Sequence, residues 1–103
     1  MADEFQTNVT DGVLHIAVNI PRLDASSSAI LKSQLKPELD PAVQSAEVEL
    51  GNVQFIDSSG IGFLLGIYRK LPGDASVVIL RNVQPGVQAV LELLRLHRVF
   101  KVV

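Results

Sequence analysis

The sequence predicts a single α/β domain: a mixed, mostly parallel β-sheet preceded by a β-hairpin and packed with helices. Three observations lead there. A mostly apolar, β-branched run, Val13 to Ile20, and an edge-strand candidate, Phe5 to Val9, flank Thr10-Asp11-Gly12 near the start. Beyond them, short apolar runs alternate with segments of helical spacing. The 103 residues suffice for one core and are too few for two, so residues 1–103 read as one domain.

Taken in order, Phe5 to Val9 reads as an edge strand paired with Val13 to Ile20. Asp-Gly between two such runs is a strong hairpin signal. Pro21 stops the second strand. Asp24, or a serine of Ser26-Ser27-Ser28, caps a helix with apolar positions Ile30, Leu31 and Leu35. Pro37 should kink or break it near Lys36, leaving a loosely helical stretch up to Val43. A third strand lies in or across Glu47 to Ile56. The helix after Ser58 runs to about Lys70 and ends at Pro72-Gly73, with Ile61, Leu64, Leu65, Tyr68 and Leu71 as one apolar stripe. Ala75 to Leu80 is a continuous apolar strand. Pro85 suits the first turn of a last helix, whose Val87, Val90, Leu91, Leu93, Leu94 and Leu96 are assigned to the core. Val99 to Val103 closes the sheet, and crossovers between parallel strands should be right-handed.

Composition narrows the function. Hydrophobic residues make up 48% and aromatics 5%, so aliphatic side chains must fill the interior. Nine basic against eleven acidic residues give a net charge of −2, which offers no electrostatic pull towards nucleic acid or an anionic membrane. The chain has no cysteine, which excludes disulfides, thiolate nucleophiles and Cys-based zinc sites. Two histidines without paired spacing make no metal site, and no cofactor is expected. No P-loop lysine follows the glycines, and no Gly-x-Ser-x-Gly elbow surrounds a serine, so an enzyme is not expected. The acidic start is not followed by an apolar signal core, and no apolar run approaches the roughly 20 residues that cross a bilayer. A cytoplasmic protein is expected.

The chemistry concentrates in Phe55-Ile56-Asp57-Ser58-Ser59-Gly60-Ile61-Gly62. An apolar run, an acid, two hydroxyls and a glycine-interrupted helical pattern read as strand, tight turn, helix. The hydroxyls then stand at a helix N-terminus, where backbone N–H groups and the dipole favour negative charge. Asp57 can cap that helix. Gly60, Gly62 and Gly66 either allow close packing on the sheet or leave a bare face for a partner's backbone. Phe63 and Ile67 fall off the main stripe; they are assigned to a partner-facing patch, the other reading being a helix buried on two sides.

With its setting, this motif resembles a STAS domain of the bacterial anti-sigma-factor antagonist family. The resemblance rests on residues 55–62, on Leu64-Leu65-Gly66 with Tyr68, on Leu23-Asp24, and on the element order from Val13 to Val103. It implies the STAS fold and phosphorylation of the first serine, Ser58, by a partner that is both serine kinase and anti-sigma factor. Spacing alone does not separate Ser58 from Ser59. Unphosphorylated, such a domain binds the kinase and frees the sigma factor; phosphorylated, it lets go until a phosphatase restores it. Asp24, Asp57, Ser59, Gly60, Gly62, Phe63 and Ile67 are the expected interface of a monomer. The other reading of the same family is a constitutive STAS subunit of a lipid-transport or sensory complex. Family members often carry Gly-Glu where this chain has Pro21-Arg22.

Overall fold

The computed structural model describes residues 4–34, 42–71 and 77–103. Strands β1 (Phe5–Thr10) and β2 (Val13–Val18) form the opening hairpin, antiparallel with Thr10 opposite Val13. Asp11 at φ 52° and Gly12 at φ 78° supply the two left-handed residues of a type I′ turn. There follow β3 (Arg22–Leu23), α1 (Ala25–Gln34), β4 (Ser45–Glu49), β5 (Phe55–Ile56) and α2 (Ser58–Lys70). The chain continues through β6 (Val77–Arg81), α3 (Pro85–Leu93), a 3₁₀ turn (Leu96–Arg98) and β7 (Lys101–Val102).

The main sheet has the order β1-β2-β4-β6-β7, and β3 pairs with β5 apart from it. From β2 onward every pairing in the main sheet is parallel. Each new strand is added on the same side of the last. Right-handed crossovers in one direction must then deliver all helices to one face. Burial agrees: Leu14, Ile16 and Val18 of β2, Ala46 and Val48 of β4, and Val78 and Leu80 of β6 are buried, alternating with more exposed neighbours. Against them pack Leu31 of α1, Ile61 and Leu64 of α2, and Val87 and Leu91 of α3. Each such side chain contributes about 1.5–3 kcal/mol by leaving water. The opposite face carries the half-exposed polar residues His15, Glu47 and Arg81.

Several expectations are corrected. The region from Glu47 to Ile56 holds two strands, because the chain turns at Gly51-Asn52, with the Val53 N–H on the Leu50 carbonyl at 3.0 Å, and leaves the main sheet for β3. Ile30 is exposed, while Leu31 beside it is buried. Leu93 and Leu94 are exposed, because α3 stops at Leu93 and the chain reverses through Arg95 at φ 59°. Leu91 is core, and Leu96 packs against it in part. Val99 lies in the turn before β7 rather than in a strand. The break expected near Lys36 and the Pro72-Gly73 stop lie outside the described residues; α2 does end at Lys70.

Candidate functional site

Arg22 pairs with Phe55 and Leu23 with Ile56 in the short parallel ladder of β3 and β5. Each strand is followed at once by an aspartate and then a helix. The parallel register therefore sets the starts of α1 and α2 side by side.

Both aspartates cap. Asp57, in extended backbone at φ −114°, accepts from the Ser59 N–H at 2.9 Å and the Gly60 N–H at 3.2 Å through one oxygen. Asp24 accepts from the Ser27 N–H at 3.2 Å, and its own N–H donates to Ser27 Oγ at 2.9 Å. This reciprocal arrangement is a capping box with serine in the third helical position. The Ser27 hydroxyl donates onward to the Arg22 carbonyl at 2.9 Å, tying α1 back to β3. The Ser27 amide first, and then the Arg22 guanidinium, hold the Asp24 carboxyl below its ordinary value of 3.8 against the opposing effect of desolvation. Ser28, in contrast, is buried with its hydroxyl unpartnered.

Ser58 is the first residue of α2 and is exposed; Ser59 beside it is half-buried. No hydrogen bond engages Ser58 Oγ among the described residues. Helical geometry places Gly62 and Gly66 below it at i+4 and i+8. A Cβ at Gly62 or Gly66 would meet nothing within 4 Å, so Ser58 heads a strip poor in side chains. Gly60 is different. A Cβ there would collide with the Leu23 carbonyl oxygen and lie 2.7 Å from Ile56 Cγ1. Both readings of the glycines thus occur, at different positions: Gly60 permits close packing, while Gly62 and Gly66 leave a face open.

Phe63 and Ile67 do not form a partner-facing patch. They are 2% and 3% exposed, because α2 packs against α1 on one side and against β5 and β6 on another. Gly60 is buried as well. The apolar surface beside the helix starts comes from another residue. Phe55 is 40% exposed, and the Arg22 guanidinium lies 4.2 Å from its ring centroid and 3.6 Å from Asp24. An aromatic residue on a two-residue strand has only one face to bury. That brevity is a tertiary fact the apolar run Val53 to Ile56 conceals.

His15 lies on β2, on the face of the main sheet opposite the helices. Its Nδ1 is 3.0 Å from Glu47.

Residues 4–103 match the STAS domain family. The chain belongs to that family. This STAS domain is 28% identical over 93 residues to the anti-sigma F factor antagonist of Paenibacillus polymyxa, across 85% of this chain and 80% of that one. The solved structure of the anti-sigma factor antagonist SpoIIAA in its unphosphorylated form has a TM-score of 0.64 at 26% identity, covering 86% of this chain and 82% of that one. A sulfate transporter family protein from Wolinella succinogenes shares the fold, with a TM-score of 0.70 at 17% identity over 93% of this chain and 82% of that one. Among the described residues no helix is long and apolar enough to cross a membrane.

Proposed function

We propose that this STAS domain is an anti-sigma-factor antagonist switched by phosphorylation of Ser58. The observation that carries the reading is the division of labour at the start of α2: Asp57 caps the helix, leaving the exposed Ser58 hydroxyl without a structural bond. Similarity to named anti-sigma factor antagonists supports the partner class. In this reading the unphosphorylated domain binds a serine kinase that is also an anti-sigma factor, in the cytoplasm. A phosphatase reverses the modification. The domain itself catalyses nothing. The contact surface comprises Ser58, Gly62 and the rim of Ser59 and Asp24, with Phe55 and Arg22 in place of Phe63 and Ile67.

The energetics favour release over unfolding. A phosphoryl group brings about −1.5 to −2 charge. The helix dipole favours it by about 0.3–1 kcal/mol. The Asp57 carboxylate opposes it by about 1.5–2 kcal/mol at contact distance in water, since the group carries more than one charge. The two terms oppose each other and leave a net cost of about 1 kcal/mol, which a folded domain tolerates. Inside an interface the same group is desolvated against a partner, at a cost of several kcal/mol. About 3 kcal/mol weakens binding more than a hundredfold.

The test is incubation with serine-kinase anti-sigma factors and ATP, followed by peptide mass mapping. One phosphate on the Ser58 peptide is expected, lost in Ser58→Ala and kept in Ser59→Ala. Ser58→Asp should melt with wild-type behaviour yet lose most kinase affinity. A Ser58→Ala protein that is still fully phosphorylated would refute the assignment. Absence of phosphate with every such kinase would leave the constitutive STAS subunit as the better reading.

A further inference from the structure

The end of the chain carries a surface that the Ser58 site does not use. Leu93 is 81% exposed, the highest value among the large apolar side chains described, and Leu94 and Val99 are 51% and 37% exposed. Leu93 ends α3, and Leu94 and Val99 lie on the tight reversal from there into β7. Hydrogen bonds from the Arg95 N–H to the Glu92 carbonyl at 3.0 Å and from the Val99 N–H to the Leu96 carbonyl at 2.9 Å hold that reversal. Arg95, His97, Arg98 and Lys101 are exposed on the same segment, and residues 93–103 contain no acid. Elsewhere Arg22 and Arg81 face Asp24 and Glu47. Arg95, Arg98 and Lys101 form no ion pair among the described residues. Apolar side chains in water beside uncompensated cations are the complement of an acidic, apolar ligand.

We propose that this reversal is a second docking surface, taking an acidic amphipathic helix of a partner protein. Apolar side chains of that helix seat on Leu93, Leu94 and Val99, and its carboxylates meet Arg95, Arg98 and Lys101. Two other occupants fit less well. A second copy related by two-fold symmetry would bring the same cations face to face. An anionic bilayer would attract three fixed cations only, while the remainder of this acidic chain is repelled from it.

The experiment titrates ¹⁵N-labelled protein with a synthetic peptide helix that has leucines on one face and glutamates beside them. Controls are the same peptide with lysines for glutamates, and phosphatidylcholine/phosphatidylserine vesicles. The glutamate peptide should shift the signals of residues 93–101 and leave Ser58 unmoved. Leu93→Glu and Arg98→Glu, both at exposed positions, should each weaken it at least about tenfold with unchanged melting. An equal response to the lysine peptide, binding to vesicles alone, concentration-dependent dimerisation, or no shift at all would each overturn the proposal.

Discussion

The Asp57 carboxylate holds two amides of α2 through a single oxygen, while the Ser58 hydroxyl next to it makes no hydrogen bond among the described residues. That contrast makes separable predictions at the two positions. Asp57→Ala should cost about 1 kcal/mol of stability, read as a lowered denaturant midpoint, and Asp57→Asn much less. Ser58→Ala should leave the midpoint in place. Asp24 predicts a pH effect with a definite sign. Its carboxyl is held below 3.8 in the folded protein, first by the Ser27 amide. The charged form is therefore the stabilising one: its contribution is complete above 3.8 and is lost as pH falls through the lower folded value. Asp24→Asn keeps the capping oxygen and removes the charge. Denaturation curves of the variant and wild type should differ at neutral pH and converge in acid below 3.8. A gap that stayed constant into acid would show that the charge contributes nothing. Both caps were legible as residue types, since an aspartate before a helical run is a start signal. Spacing could not say which serine would be exposed, because exposure belongs to the packed helix.

Helix α2 carries three glycines for two different reasons, and substitution separates them. Glycine costs an exposed helix interior about 1 kcal/mol relative to alanine. Gly62→Ala and Gly66→Ala meet open space, so each should stabilise the domain by up to about that amount. Gly60→Ala must push α2 off the Leu23 carbonyl and should destabilise by about 3 kcal/mol or prevent folding. Thermal melts of the three variants check this; a Gly60→Ala protein as stable as Gly62→Ala would be incompatible with the packing described. If Gly62→Ala melts higher yet binds a kinase less well, the bare strip below Ser58 has a recognition role. Of the apolar stripe read from spacing, Ile61, Leu64 and Leu71 are buried, while Leu65 and Tyr68 are partly buried against the core. Phe63 and Ile67 were misassigned for a physical reason. Periodicity locates one buried face, and a helix pressed against both a sheet and a neighbouring helix has two.

Across the whole molecule, one polar cluster ties three strands of the open sheet face. Glu47 of β4 accepts from Arg81 of β6 at 2.9 Å and lies 3.0 Å from His15 of β2. All three side chains are partly in water, so Glu47→Ala should cost no more than about 1 kcal/mol, and less at high salt. Urea denaturation at two ionic strengths checks this, and a salt-independent loss of several kcal/mol would contradict it. The alternation of main-sheet strands with helices, the hairpin turn and the capped helix at Ser58 follow from the sequence alone, because dihedral preference, side-chain period and capping are local properties. Tertiary structure alone decided that β3 and β5 leave the main sheet to set two helix starts side by side. It also buried Phe63 and Ile67, exposed Phe55, Leu93 and Leu94, and left Ser58 rather than Ser59 in the open. Each of those outcomes depends on which surfaces meet across distant parts of the chain, and burial is a property of the pair of surfaces rather than of either residue run.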